Sequence, residues 1–188
     1  MQAAYNIFAT IRLFSRNKHM KAKLIYWAKQ IAQTLFMLLI ISVAIDYWRK
    51  PSAPMNAANA PFTTLQQTQS TLAKSSDNQT LVLYFWGSWC GICKHTSPVI
   101  NDLHADGVPV LGVALRSGSL HNVSDYLQQN HLAFDTINDE HGELSQAWGI
   151  KVTPTIVLIR NGKVVHSTTG LASYWGLKAR IALANVLN

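Results

Sequence analysis

The sequence predicts an α/β domain with a mixed central sheet flanked by helices, preceded by one N-terminal transmembrane helix. Two observations support this prediction. Apolar runs typical of buried strands alternate with amphipathic helical segments, and a hairpin signal and a last helix follow them. Nearer the N-terminus, residues 31–48 form a largely apolar stretch with basic residues before it.

The first strands of the domain surround a predicted helix. Residues 62–65 are compatible with a short leading strand, and residues 81–86 (LVLYFW) are continuously apolar. A continuous apolar run is expected of a central strand that is covered on both faces. Residues 90–104 then predict a helix kinked at Pro98, and residues 108–115 predict a second apolar strand.

The second half of the domain continues the alternation and then changes to a hairpin. Asn161-Gly162 is a strong short hairpin signal, so the strands on either side of it should be antiparallel. The predicted elements are a helix at 121–130, a strand at 134–137, a short helix at 140–148, strands at 155–159 and 164–167, and a last helix at 173–187. Residues 62–188 therefore form one domain, large enough for one core.

Charge divides the chain into two parts. The whole chain carries a formal charge of +7, from 16 Lys and Arg against 9 Asp and Glu. Residues 1–50 hold eight basic residues and one acid, whereas residues 51–188 hold eight basic and eight acidic residues. Because the predicted domain is neutral overall, its charge gives no support for nucleic-acid binding.

The basic segment and the apolar stretch together predict a membrane anchor. Residues 31–48 in a helix would span roughly 27 Å, close to the hydrocarbon thickness of a bilayer. Aromatic residues flank both ends, and the basic excess of residues 1–30 predicts a cytoplasmic N-terminus. Residues 49–61, which include three prolines, predict an extended linker between the anchor and the domain.

A cleaved signal peptide is the alternative to an anchor. Ser42-Val43-Ala44 and Ala58-Asn59-Ala60 both resemble small-residue cleavage sites. The first lies inside the apolar stretch and the second lies well beyond it. The sequence therefore favours an uncleaved anchor.

The two cysteines of the chain form the motif Cys90-Gly91-Ile92-Cys93, directly after Trp89. A C-x-x-C between a strand and a helix is typical of thiol–disulfide exchange. If Cys90 lies at the start of the helix, backbone N–H groups and the helix dipole favour its thiolate, which is the attacking species. Gly91 leaves the approach to Cys90 open, and Trp89 can shield one side of it.

Metal binding and a purely structural disulfide are the competing interpretations. A structural zinc site needs about four ligands, but no second cysteine pair is present and the seven histidines show no H-x₃₋₅-H spacing. A disulfide that closes so small a loop would restrict the unfolded chain little. We therefore expect a redox-active pair, with no metal and no bound cofactor.

Residues 84–94 closely resemble the active-site segment of thioredoxin-fold proteins, and Pro98 matches the proline that kinks their active-site helix. Residues 149–155 resemble the family's cis-proline loop, and Gly162 and Gly170 match two further glycines of the fold. The resemblance implies a thioredoxin fold over residues 62–188 and a cis peptide bond before Pro154. It also implies that Cys90 forms mixed disulfides, that Cys93 resolves them, and that the surrounding residues contact the client: Trp89, Gly91, Ile92, Thr153 and Pro154.

Within that fold, the predicted helix and strand between Leu115 and Trp148 are similar to the central insertion of the membrane-tethered TlpA-like branch. The Gly91-Ile92 pair and the tether look like the suppressor-of-copper-sensitivity D type of protein disulfide oxidoreductase. This resemblance implies a single-pass protein of the bacterial inner membrane with a periplasmic catalytic domain and a role in copper stress. Its partners would be client proteins with cysteines or disulfides and a membrane or periplasmic redox protein.

One departure from the family leaves the direction of electron flow open. Thioredoxins commonly have a buried acid six residues before the first cysteine, and Tyr84 stands at that position here. We expect a reductase or isomerase. The alternatives are a copper-handling or client-binding module without turnover, and a thiol reductase of cytochrome c maturation.

Overall fold

The computed structural model describes residues 51–187 and, before them, residues 23, 25–27, 29–38, 40–41, 44–45 and 48–49. The chain divides into two compact units, residues 1–48 and 49–188. In the first unit the described residues are helical, and apolar side chains such as Leu35 and Phe36 are exposed. Among the described residues, no helix combines the length and the apolar character that a bilayer crossing requires. Residues 39, 42–43 and 46–47 of the predicted anchor lie outside the description, and the anchor stays a prediction.

The second unit has the predicted alternation of strands and helices. Its elements are β1 (Pro61–Thr63), β2 (Gln69–Thr71), α1 (Leu72–Ser75), β3 (Leu81–Trp86), α2 (Cys93–Ala105), β4 (Val110–Leu115), α3 (Leu120–Gln129), β5 (Asp135–Asp139), α4 (Glu143–Ala147), β6 (Thr155–Arg160), β7 (Lys163–Thr169) and α5 (Tyr174–Leu187). The sequence did not predict β2 or α1, which are short and mostly polar. It also placed the start of α2 at Cys90, whereas the helix begins at Cys93.

Five strands form a sheet in the order β5-β4-β3-β6-β7, and the sheet is mixed, as the sequence predicts. The central strand β3 runs parallel to β4 and antiparallel to β6. All six residues of β3 are buried, which explains why that segment is apolar at every position. Strands β1 and β2 form a separate antiparallel pair.

Alternate residues of β3 point into two separate cores. Tyr84 and Trp86 belong to the first core, where α2, α3 and α5 contribute Ile100, Val123 and Leu177. The second core lies on the opposite face of the sheet and contains Leu83, Phe85 and Trp148. The aromatic rings of Phe85 and Trp148 pack with their centroids 5.8 Å apart.

Residues 51–61, which make up most of the predicted linker, lie against the second core. The Ser52 N–H donates to the Trp148 carbonyl (3.0 Å), and the Ala73 N–H donates to the Ala58 carbonyl (2.8 Å). Ala57 packs on the second core beside Phe62. The prediction of an extended linker rested on prolines and the absence of periodicity, but these contacts are made through backbone groups and small side chains, which leave no periodic signal.

Ser76 joins the N-terminal part of the second unit to the β6–β7 hairpin. Its hydroxyl donates to the Leu72 carbonyl (2.7 Å) and accepts from the Gly162 N–H (2.8 Å). Its carbonyl accepts from the Asn161 N–H (2.9 Å). Gly162 has φ 72°, in the left-handed region that the hairpin turn requires and that favours glycine.

A buried hydrogen bond ties β3 to the active-site helix. The Tyr84 hydroxyl and the Ser97 Oγ lie 2.9 Å apart, and both side chains are almost completely buried. Burial raises the pKa of the Tyr84 hydroxyl above its ordinary value, and the hydrogen bond to Ser97 opposes this shift without cancelling it. Tyr84 is therefore neutral at physiological pH.

We expect Tyr84→Phe to lower the free energy of unfolding by about 1–2 kcal/mol at neutral pH, because Ser97 loses its partner inside the core. Above the ordinary tyrosine pKa of 10.0, the unfolded chain releases the Tyr84 proton but the folded chain keeps it. The free energy of unfolding of the wild-type protein should therefore fall as the pH rises above 10.0. Urea denaturation at neutral pH and at about pH 11 should show a smaller gap between the two proteins at the higher pH.

The double variant Tyr84→Phe/Ser97→Ala is the control for this prediction. Since it removes both hydrogen-bonding partners, it should be more stable than the sum of the two single losses predicts. A gap between wild type and Tyr84→Phe that does not change with pH would contradict the assigned protonation of Tyr84.

Candidate active site

Cys90 and Cys93 form a disulfide at the C-terminal edge of β3, with their Cα atoms 5.2 Å apart. Cys90 lies in the turn that follows β3, where its N–H donates to the Gly87 carbonyl (3.1 Å). Cys93 is the first residue of α2. The side chain of Cys90 retains 6% exposure, whereas Cys93 has none. Of the two cysteines, only Cys90 therefore retains any accessible surface.

The start of α2 faces the sulfur of Cys90. The Cys93 N–H lies 3.2 Å from the Cys90 Sγ, and no side chain caps this helix end. The first turn of the helix carries no acidic residue. After reduction, the backbone N–H and the positive end of the helix dipole favour negative charge on Cys90 rather than on Cys93.

The residues around Cys90 leave an exposed, partly apolar surface. Trp89 is 58% exposed and Ile92 is 47% exposed, on either side of the exposed Gly91. A Cβ added at Gly91 would meet no atom within 4 Å, so space beside the disulfide is open. A polypeptide can approach Cys90 on this side.

The Thr153–Pro154 peptide bond is cis, as the family resemblance implies. Phe85 of β3 pairs with Thr155 of β6, so the loop before β6 reaches the same edge of the sheet as Cys90. Thr153 is half-buried and Pro154 is buried. The Pro154 carbonyl accepts a hydrogen bond from the Gly170 N–H (2.9 Å), which ties the loop to the end of β7.

Neither an acid nor a metal cluster accompanies the cysteine pair in the described part of the chain. Tyr84 occupies the position where thioredoxins commonly have a buried acid, and it faces Ser97. Among the described residues, no three His, Cys, Asp or Glu side chains lie close enough together to hold a metal ion.

Two residues beside the site had no signal in the sequence. The Leu115 carbonyl accepts a hydrogen bond from the Trp89 indole N–H (3.0 Å), and the Ser117 Oγ accepts one from the Ser88 N–H (3.0 Å). A carbonyl carries no sequence signature, and one serine in the stretch Ser117-Gly118-Ser119 reads as an ordinary loop residue. These two residues can be recognised only once the fold shows that the loop after β4 lies beside the active site.

Comparison with known proteins shows which family the chain belongs to. Residues 50–173 match the Redoxin family. A thioredoxin-like protein of Haemophilus influenzae is 45% identical over 152 residues, which cover 80% of this chain and 91% of that protein. The thiol-disulfide oxidoreductase ResA of Geobacillus thermodenitrificans is 25% identical over 163 residues, covering 80% of this chain and 93% of that protein.

A solved structure shares the fold. The solution structure of a putative thioredoxin from Neisseria meningitidis superposes with a TM-score of 0.62 at 24% identity, over 73% of this chain and 93% of that chain. Together with the family match and the close cysteine pair, the likeness places the fold in the thioredoxin-like class. The chain belongs to the Redoxin family, and it is a thiol–disulfide oxidoreductase.

Proposed function

We propose that this protein is a membrane-anchored, extracytoplasmic oxidoreductase that exchanges disulfides with client proteins through Cys90 and Cys93. The helix N–H at the Cys90 sulfur and the unequal burial of the two cysteines support the division of labour between them. Cys90 is largely buried but retains 6% exposure and receives the helix N–H, whereas Cys93 has no exposure. Cys90 therefore forms the bond to a client, and Cys93 resolves it.

Reduction of a client proceeds in two exchanges. The Cys90 thiolate attacks one sulfur of the client disulfide, a mixed disulfide forms, and the first client sulfur leaves as a thiolate that takes up a proton. Cys93 then loses its proton and attacks the Cys90 Sγ, so that the second client sulfur leaves and the Cys90–Cys93 disulfide forms. Two electrons pass from the pair to the client, and the reverse sequence would oxidise a client dithiol.

The client chain is proposed to lie over the surface beside Cys90. Trp89, Gly91 and Ile92 line one side of it, with two exposed apolar side chains and one open position. Thr153 and Pro154 approach from the neighbouring strand at the same edge. An extended peptide placed between these two groups would have its cysteine next to Cys90.

The anchor and the extracytoplasmic location rest on the N-terminal sequence. Residues 1–50 carry the whole net charge of +7, because residues 51–188 are neutral overall. The described helical residues at 29–38 expose apolar side chains such as Ile31 and Phe36, which suits a lipid environment. On this basis we propose residues 1–30 as a cytoplasmic segment of the bacterial inner-membrane protein, residues 31–48 as its anchor, and the domain as periplasmic.

We propose that the protein works as a reductase or isomerase, as in the suppressor-of-copper-sensitivity D type that its motif resembles. Gly91 and Ile92 add no charge beside Cys90, and Tyr84 is a neutral residue in place of an acid. The stabilisation of the Cys90 thiolate is therefore moderate, which does not favour a strong oxidant. A membrane or periplasmic redox protein would supply the electrons.

Cys93→Ser should accumulate mixed disulfides with client proteins, because Cys90 can still be attached to a client but cannot be released by Cys93. Cys90→Ser should accumulate none, since its remaining thiol is buried. Acid quenching, thiol blocking and non-reducing gels measure the adducts, and the double variant Cys90→Ser/Cys93→Ser is the blank. Equal trapping by the two single variants would contradict the assigned roles.

A reporter that is active only after export should be active when it is fused after Asn188. The basic excess before residue 31 keeps the N-terminus in the cytoplasm, so the C-terminal domain should lie on the other side of the membrane. A cytoplasm-only reporter fused at the same residue is the matched control. Activity of that second fusion would overturn the topology while leaving the thiol chemistry intact.

The cysteine pair should be largely reduced in intact cells at steady state if the protein is a reductase or isomerase. Trapping with a mass-adding thiol reagent measures the reduced fraction, and Cys90→Ser/Cys93→Ser marks the unmodified position on the gel. A fully oxidised pair, together with fast oxidation of reduced clients, would reverse the direction of electron flow.

A further inference from the structure

The loop that follows β4 holds the turn that precedes Cys90. The Trp89 indole N–H donates to the Leu115 carbonyl (3.0 Å), and the Ser88 N–H donates to the Ser117 Oγ (3.0 Å). The Ser117 hydroxyl in turn donates to the same Leu115 carbonyl (3.2 Å), and Ser117 is buried. One small side chain thus connects the backbone of the turn to the carbonyl that fixes the tryptophan.

This loop is itself fastened on two sides. The Arg116 N–H donates to the Asp139 carbonyl (2.9 Å), and the Asn138 amide donates to the Gly118 carbonyl (3.0 Å), which attaches the loop to β5. Ser119 caps the start of α3. Ser117 lies between these attachments, so its hydroxyl has a defined position before any client binds.

The indole ring of Trp89 also has little freedom on its inner side. A Cβ added at Gly87 would lie 2.6 Å from the Trp89 Cε2, so the ring occupies the space where a side chain at residue 87 would stand. The same residue is 58% exposed. The residue before Cys90 is therefore an exposed aromatic surface held in one orientation.

We propose that Ser117 is a positioning residue for client exchange, acting through Ser88 and Trp89 rather than on the cysteines. This rests on the proposed contact between Trp89 and the client chain. A side chain that is already ordered loses less conformational freedom when a partner covers it, and binding is stronger for that reason. A small disulfide reaches Cys90 without covering the indole, so Ser117 affects exchange with polypeptides and not with small disulfides.

The test compares two oxidants of the reduced full-length chain in detergent. Insulin represents polypeptide disulfides, and bis(2-hydroxyethyl) disulfide represents a disulfide too small to cover Trp89. Ser117→Ala should lower the second-order rate constant with insulin by about 2- to 10-fold, the effect expected from one lost neutral hydrogen bond. The rate constant with the small disulfide and the reduction potential of the cysteine pair should not change.

Three further variants separate positioning from general damage. Ser117→Thr keeps the hydroxyl and should recover the insulin rate. Ser119→Ala changes a serine of the same loop whose hydroxyl is bonded to Asn122 at the start of α3, so the ratio of the two rates should stay at the wild-type value. Trp89→Phe removes the indole N–H, and Ser117→Ala in that background should cost less than it does alone.

Nuclear magnetic resonance of the indole N–H, assigned with Trp89→Phe, gives a readout independent of turnover. The Trp89 signal should be protected from solvent exchange in wild type and lose protection in Ser117→Ala. An equal loss with both oxidants, no loss with either, or a changed reduction potential would overturn the proposal. If wild type fails to react with insulin but reacts with the small disulfide, the proposed client function fails with it.

Discussion

The pairing of β3 with β4 on one side and β6 on the other decides what can lie beside the cysteines. Because β4 is parallel to β3 and β6 is antiparallel, the end of β3 and the beginning of β6 meet at one edge of the sheet. That edge receives Cys90 from one strand and Pro154 from the other, although they are far apart in sequence. Loss of either pairing would separate the disulfide from the loop that completes its surroundings.

Burial of β3 on both faces requires two different coverings. Helices α2, α3 and α5 cover one face, and a mixture of short elements covers the other: residues 51–63, α1 and α4. Trp148 connects these short elements to the site, because it lies just before the loop that leads to Pro154. Its ring packs on Phe85, and its carbonyl accepts a hydrogen bond from the Ser52 N–H. The N-terminal stretch is thus part of the domain that holds the site.

Sequence reasoning found the parts of the fold that depend on local pattern. It placed β3 at residues 81–86, where burial on both faces makes every position apolar, and it found the hairpin at Asn161-Gly162, where the turn demands particular residues. It missed β2 and α1, because short polar elements are stabilised by distant partners such as the hairpin that Ser76 holds. It started α2 too early, since the turn closed by the Gly87 carbonyl keeps Cys90 out of the helix. The contact between Ser88 and Ser117 joins loops from two strands and has no local signature at all.

The same asymmetry that supports Cys90 as the proposed attacking residue bears on the proposed role as reductase or isomerase. The helix N–H lies against the Cys90 sulfur, whereas Cys93 has no exposure; both cysteines belong to the first core, which also contains Ile156 and the neutral Tyr84. Burial in such surroundings disfavours a charged thiolate, and resolution by Cys93 requires that thiolate. In the proposed exchange, a mixed disulfide on Cys90 would therefore persist longer than it would beside an ionised acid. A longer-lived mixed disulfide gives the client time to attack it with a second cysteine of its own, which rearranges the client's disulfides and returns the enzyme reduced. In the proposed function, slow resolution by the buried Cys93 would favour isomerisation over rapid one-way reduction.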